Sequence, residues 1–342
     1  MQKARAHVIC PSQEALALHR ESIVIDLHAD TPDLMRHGYD FHKRHRPPLP
    51  RAAAIMHVDG PRMREGGLTA QVFGLFALPL PFRDHFPVVL SQISAVDAAL
   101  ERNPQGLRRV QTAEDIRQAK RDGVPACLQC LEGAHPLGGR LDRLEALRRR
   151  GLRAVGLLHF SANEAGRPAM GLGRDGSLGL TPFGRELVGF ANACGLLLDL
   201  AHINRPGFLE AVRLSRDPVM VSHTGVTGVN QMWRNIDDEQ LRAIAARGGC
   251  VGIIYSRAFL GGPGIEFLIR HLEHVIKVAG EDTPALGSDF DGYVVPPAEL
   301  PDASTLPRIT QALLERGHPS RVIQKILGQN ALRVLEAVPP RN

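Results

Sequence analysis

Seven side chains able to bind metals or move protons follow short apolar runs of this chain. His28 and Asp30 close the first such run, Glu132 the third, His159 the fourth, His202 the fifth, His223 the sixth and Asp289 the eighth. His28 and Asp30 are two apart, so in an extended chain they leave the same face and can chelate one cation. A Glu carboxylate can bridge two cations through its two oxygens, and two further histidines can supply nitrogen to the second. Nitrogen and oxygen donors mixed in this way favour zinc or a similar first-row metal over calcium or magnesium. The chemistry such a site performs is two-metal hydrolysis, in which a shared water becomes a hydroxide near neutral pH and a carbonyl is polarised. Taken singly, each residue has a plainer reading: a strand-end His is often a hydrogen-bonded structural residue, and an Asp after a strand can cap the next helix. Independent caps and core histidines have no reason to gather at the same end of six runs.

These residues can meet only if the runs are strands of one sheet. Eight apolar stretches without alternation, at 23–27, 70–78, 126–131, 154–158, 196–200, 219–222, 250–254 and 284–287, alternate with segments of helical period. That is the pattern of βα units around a buried parallel sheet. It predicts an α/β fold, a (β/α)8 TIM-type barrel with an irregular insertion (36–64) after strand 1 and extra C-terminal helices at 306–315 and 319–327. Helices at 92–101, 113–121, 141–150, 182–194, 206–215, 238–246 and 264–278 are expected between the strands. Thr112 with Asp115, and Thr181 before Pro182, carry helix-start signals. All strand C-termini of such a barrel converge on one mouth. No linker or repeat interrupts residues 1–342, which read as a single domain.

Composition narrows the remaining choices. With 44% hydrophobic and 23% charged residues the chain is of ordinary globular type. The formal charge of +5 is modest and comes mostly from arginines on polar helix faces, so nucleic acid is not an expected partner. The apolar run at 8–10 is too short for a signal segment and no stretch is long enough to span a bilayer, which predicts a cytoplasmic protein without membrane attachment. Five cysteines, an odd number, suit reduced thiols. In a strand, Cys127 and Cys130 would point to opposite faces, so they read as structural rather than as a metal or redox pair. His37, His42, His45 and His57 lie in a basic loop without carboxylate or Cys partners at ligand spacing and are set aside as a metal cluster.

Longer blocks surround the chemical residues: Val24-Ile25-Asp26-Leu27-His28-Ala29-Asp30, Gly66-Gly67-Leu68-Thr69-Ala70-Gln71, Leu131-Glu132-Gly133, Leu180-Thr181-Pro182-Phe183-Gly184, Leu198-Asp199-Leu200-Ala201-His202, Ser222-His223-Thr224, Arg234-Asn235-Ile236, Gly287-Ser288-Asp289-Phe290-Asp291-Gly292 and Asn330-Ala331-Leu332-Arg333-Val334. In this order, over nearly the whole chain, the set resembles the membrane (renal) dipeptidase family of zinc metallopeptidases. The resemblance implies a metal-dependent dipeptidase that cleaves dipeptides with a free C-terminal carboxylate by a metal-bridging hydroxide. It further implies that His28 and Asp30 bind one zinc, His202 and His223 the other, and that Glu132 bridges the two. Asp289 matches the acid that contacts the metal-bound water, His159 the His facing the scissile carbonyl, and Arg234 the Arg that holds the substrate. A small-molecule dipeptide substrate and a homodimer are likewise implied.

Departures from the family bear on substrate choice. The residues around His159, the loop 163–176 and the His-rich insertion look individual, and loops of this kind form a pocket rim. Arg234 also has a plainer reading, a surface ion pair with Asp237 or Asp238. Other barrel amidohydrolases offer lactonase, cyclic amidase or deaminase activity as the alternative. Many of those begin with His-x-His and bridge their metals with a carboxylated Lys, whereas here the first motif is His-x-Asp and no Lys ends a strand. An Arg-rich nucleic-acid-binding protein is the non-enzyme alternative, and it would show strongly salt-dependent DNA retention.

Overall fold

The computed structural model describes residues 9–46, 54–78 and 83–341; Val8 of the N-terminal apolar run and residues 47–53 of the insertion lie outside them. The strands are β1 (Ile25–Ala29), β2 (Ala70–Leu75), β3 (Arg108–Arg109), β4 (Ala126–Leu131), β5 (Leu152–Gly156), β6 (Leu197–Asp199), β7 (Met220–Thr224), β8 (Cys250–Ile253) and β9 (Pro284–Leu286). All pairings are parallel, and the ring runs β1, β2, β4, β5, β6, β7, β8, β9 and back to β1. The architecture is the eight-stranded TIM-type barrel expected, with an insertion after the first strand and additional C-terminal helices. β3, two arginines paired with the start of β4, stands outside the ring. It carries no apolar signal, so sequence periodicity passes over it.

Each ring strand gives residues to one buried cluster: Ile25 and Leu27, Ala70 and Val72, Ala126, Leu128 and Cys130, Ala154, Leu197, Met220, Cys250 and Ala285. Ala331, Leu332, Val334 and Leu335 of the helix Asn330–Ala337 join it and close the barrel at the end away from the mouth. That helix lies beyond the expected terminal helices. It continues Ser320–Gln324 through a wider turn, Lys325–Gln329, with helical backbone at each junction, so the helix expected at 319–327 forms and runs on to Ala337 with a π-type turn inside it. An N-terminal helix, Gln13–Glu21, was not expected. The start signals at Thr112 and Thr181 are realised: Thr112 and Asp115 form a reciprocal capping box, and the Thr181 side chain accepts from Gly184 N.

Two irregularities aim the barrel at its chemistry. Along β1, Asp26 pairs with Gln71 but Ala29 pairs with Phe73, so β1 carries one extra residue over that interval. β7 does the same between Val221 and Thr224 against β8. A bulge of this kind breaks the two-residue alternation. Ile25 and Leu27 therefore face the interior, and one step out of phase so do His28 and Asp30; Met220 and His223 repeat the pattern.

Arg153, unlike the arginines on polar helix faces, is 1% exposed. It donates to the carbonyls of Gln111 (2.8 Å), Gly195 (2.7 Å) and Val338, tying the start of β5 to the segment after the last helix. Cys127 and Cys130 are free, buried and divided between two apolar clusters.

Candidate active site

At the C-terminal ends of the ring strands, six buried side chains crowd around Glu132. Its Oε1 lies 3.0 Å from His202 Nε2, 3.4 Å from His28 Nε2 and 3.5 Å from His223 Nε2, and its Oε2 lies 3.8 Å from His159 Nε2. His28 Nε2 is 3.3 Å from Asp30 Oδ1 and 3.9 Å from Asp289 Oδ1. Among the described residues, three groups of donors lie close enough to hold an ion: His28 with Glu132 and His223, Glu132 with His159 and His202, and His28 with Asp30 and Asp289. No group draws on the insertion. There His42 and His45 bond to the carbonyls of Ala99 and Asp40, and His57 Nδ1 accepts from Asp291 N.

The boundaries differ from expectation in ways that matter locally. His28 lies inside β1 and His223 inside β7, whereas His159 comes three residues after β5. His202 and Asp289 adopt left-handed backbone, with φ of 67° and 61°. Non-glycine residues pay for such a conformation, and it is held where surrounding structure fixes a side-chain direction. For His202 the fixing includes Ala169 N donating to its carbonyl, at 2.7 Å.

Supporting residues that sequence reasoning left without a role orient the histidines. Asp199, 1% exposed, accepts from Ser222 N, Ala201 N and Ser222 Oγ. With its hydroxyl proton committed to Asp199, Ser222 Oγ receives Nδ1–H of His223 at 2.9 Å. This fixes the tautomer that leaves the His223 Nε2 lone pair for the cluster, the usual task of a ligand's outer partner. Asp26 Oδ1 accepts from His28 N and Ser288 N and locks β1 to β9. The available signal for Asp199 was a carboxylate inside the apolar run 196–200, costly to bury unless bonded. Gly74 in β2 was also overlooked. A Cβ there would fall 2.5 Å from Asp30 Oδ1 and 2.7 Å from His28 Cε1, so only glycine leaves room for these two side chains.

The electrostatics suit cations. Burial followed by the Arg234 charge pushes His202 well below the ordinary imidazole range, and burial with His28 and Arg234 does the same to His223; both are neutral donors. Burial opposes ionisation of Glu132, yet His159, His28 and His202 outweigh it and hold the carboxyl well below its usual range. Burial, then Glu132, raises Asp30 to about 7. Asp30 Oδ1, Glu132 Oε2 and His28 Nε2 are buried without a hydrogen-bond partner, a cost that ligation removes. The donor set therefore fits metal ions.

Arg234 is 3% exposed. Its Nη2 donates to His223 O at 3.0 Å and its Nε has no hydrogen-bond partner. The surface pair considered from sequence is not formed, because Asp237 binds Arg205 and Asp238 binds His274 and Arg242. Burial lowers its pKa only to about 10, so it stays charged.

A parallel barrel carrying histidines and carboxylates at its C-terminal mouth is the arrangement of metal-dependent hydrolases. Residues 12–340 match the model of the membrane dipeptidase family, peptidase family M19, and the chain belongs to that family of metallopeptidases. A Klebsiella pneumoniae protein described as an uncharacterized protein in the pqqA 5′ region is 32% identical over 265 residues, covering 75% of this chain and 97% of its own. A Rhodobacter sphaeroides metallopeptidase, solved with a phosphinate mimic of the dipeptide L-Ala-D-Ala, superposes with a TM-score of 0.78 at 28% identity, covering 93% of this chain and 99% of that one. An amidohydrolase from Pseudomonas aeruginosa gives 0.79 at 28% identity, with 95% and 98% covered. Among the described residues no helix is long and apolar enough to cross a membrane.

Metal analysis tests the cluster directly. Protein purified without chelator is expected to carry close to two ions per chain. Glu132→Ala should lose both together, and His202→Ala mainly one. A wild-type protein that stays mononuclear with metal in excess would overturn the bridge.

Proposed function

We infer that the protein hydrolyses the peptide bond of dipeptides bearing a free C-terminal carboxylate. The observation that carries this reading is Arg234: a buried guanidinium with an unpartnered Nε, placed against the carbonyl of His223 beside the donor cluster. A cation so enclosed prefers a compact anion, and its planar fork suits a carboxylate. His28 and Asp30 would hold one divalent cation, His202 and His223 a second, and Glu132 both, zinc being the metal that this donor set suits. When bound, such a pair supplies Lewis-acid polarisation of a carbonyl and acidifies water.

The chain's own groups supply the rest. His159, 5% exposed and packed edge-on against Phe76 and His202, is positioned to donate to the oxygen on which charge develops. Asp289 holds and moves a proton at its carboxylate, taking it from the attacking water and returning it to the leaving amine. Burial raises its pKa well above the ordinary carboxyl value, which strengthens it as the acceptor of the water's proton. The barrel wall excludes bulk water from all of these groups and strengthens each interaction. Hydrolysis of a dipeptide library by zinc-loaded protein tests the reading: cleavage of free dipeptides is expected, and failure to cleave any member would reject it.

A further inference from the structure

Two cavities open beside the donor cluster on opposite sides of the barrel axis. The first, of about 430 Å³, is lined by Ile203 beyond β6 and by Met232 to Asp237 beyond β7, with Arg234 among them. The second, of about 510 Å³, is lined by Asp33 beyond β1, Phe76 and Leu78 beyond β2, Val88, Arg83, and Tyr293 beyond β9. In the eight-membered ring, β1 and β2 stand four places from β6 and β7, which is directly across the mouth. Two residues of the second cavity's lining, Phe76 and Asp33, connect it to the cluster. The Phe76 ring lies 5.5 Å from that of His159, and Asp33 follows Asp30 by one helical turn.

We propose that this second cavity receives the side chain of the dipeptide's first residue and selects for bulky apolar groups there. The inference rests on the dipeptidase reading given above. With the C-terminal carboxylate at Arg234 and the scissile carbonyl between His159 and the cluster, the first residue must extend away from β7, toward β1 and β2. A glycine or alanine would leave most of a space of this size filled with water, whereas a leucine or phenylalanine side chain fills it and buries apolar area. The lining matches. Phe76 is buried, while Leu78 and Tyr293 are each 63% exposed at its edge, an apolar surface that a ligand would cover. Its carboxylates are already taken, Asp33 by Arg36 at 2.8 Å and Asp84 by Arg143 at 2.8 and 2.9 Å. No free acid is left to welcome a cationic side chain, and Arg83 at the rim repels one.

The test is a series of dipeptides with Gly, Ala, Leu, Phe or Lys first and L- or D-Ala second, assayed with metal-loaded wild type and with Val88→Trp. Val88 is half-buried on the helix Phe86–Arg102, so the larger ring enters the cavity without touching the cluster. Wild type is expected to prefer Phe and Leu over Gly by at least about tenfold in kcat/KM, the discrimination a well-filled apolar pocket gives, with Lys no better than Gly. Val88→Trp should lose roughly that preference, with Phe and Leu falling toward the level of Gly. Leu78→Glu, at an exposed position, should also weaken Phe against Gly. A flat wild-type series with all members cleaved would overturn the cavity assignment and leave the dipeptidase reading standing. An equal fall for every substrate in both variants would also overturn it. Cleavage of none would remove the reading on which it rests, and the inference with it.

Discussion

Asp289→Asn is expected to keep its metal ions and lose about 10²–10⁴-fold in kcat, the range for one positioned acid/base. The substitution is chosen for its backbone. Asp289 sits at φ 61°, in the region that Asn tolerates better than other side chains with a Cβ, so the turn after β9 should survive. Asp289 N donates to His28 O at 3.1 Å, and Gly292 packs so closely that a Cβ there would fall 2.3 Å from Asp289 Oδ1. An amide is the same size as the carboxyl and fits this space, but it cannot accept and return the proton. Melting temperature and metal content measured beside kcat separate this loss from a disturbed site. Turnover near wild type would move the proton carrier elsewhere.

How legible the fold was depended on the kind of signal each element leaves. The ring strands announce themselves because a parallel strand covered on both faces reads as an unbroken apolar run, and the core of every ring strand fell within or beside an expected run. Their ends did not announce themselves. The fourth run, taken as 154–158, is a strand at Leu152–Gly156, because Arg153 reads as polar and interrupts the apolar count while its buried guanidinium serves three carbonyls. The bulges in β1 and β7 left only a trace: apolar residues at 25 and 27 and donors at 28 and 30 cannot share an interior face unless the alternation slips once between them. Neighbours across the barrel were the least legible. Asp199 reaches His223 only through Ser222, a contact between adjacent strands that spacing along the chain does not encode. Gly74 matters for what it lacks. The apolar cavity beside Phe76 and Tyr293 draws on segments more than 200 residues apart, which meet only when the barrel closes.

Arg234 carries the second large expectation. If its guanidinium holds the substrate's terminal carboxylate, a dipeptide amidated at its C-terminus should be a far poorer substrate than the free acid. Arg234→Ala should lower kcat/KM for the free acid by about 1–3 kcal/mol, roughly 5- to 150-fold, and barely change it for the amide. The comparison between the two substrates matters because Arg234 also donates to His223 O and its loss could disturb that neighbour. A disturbed His223 would slow acid and amide alike, whereas a lost carboxylate anchor affects only the acid. Arg234→Lys should recover part of the loss, keeping charge without the planar fork. The guanidinium remains protonated at working pH despite burial, with its pKa lowered only to about 10, so the effect should persist across the neutral range. Its neighbours cannot substitute for it, since Arg205 is committed to Asp237 and Glu239. Wild-type protein hydrolysing acid and amide equally well would show that Arg234 is not the anchor, and the restriction to free dipeptides would then lack its main physical cause.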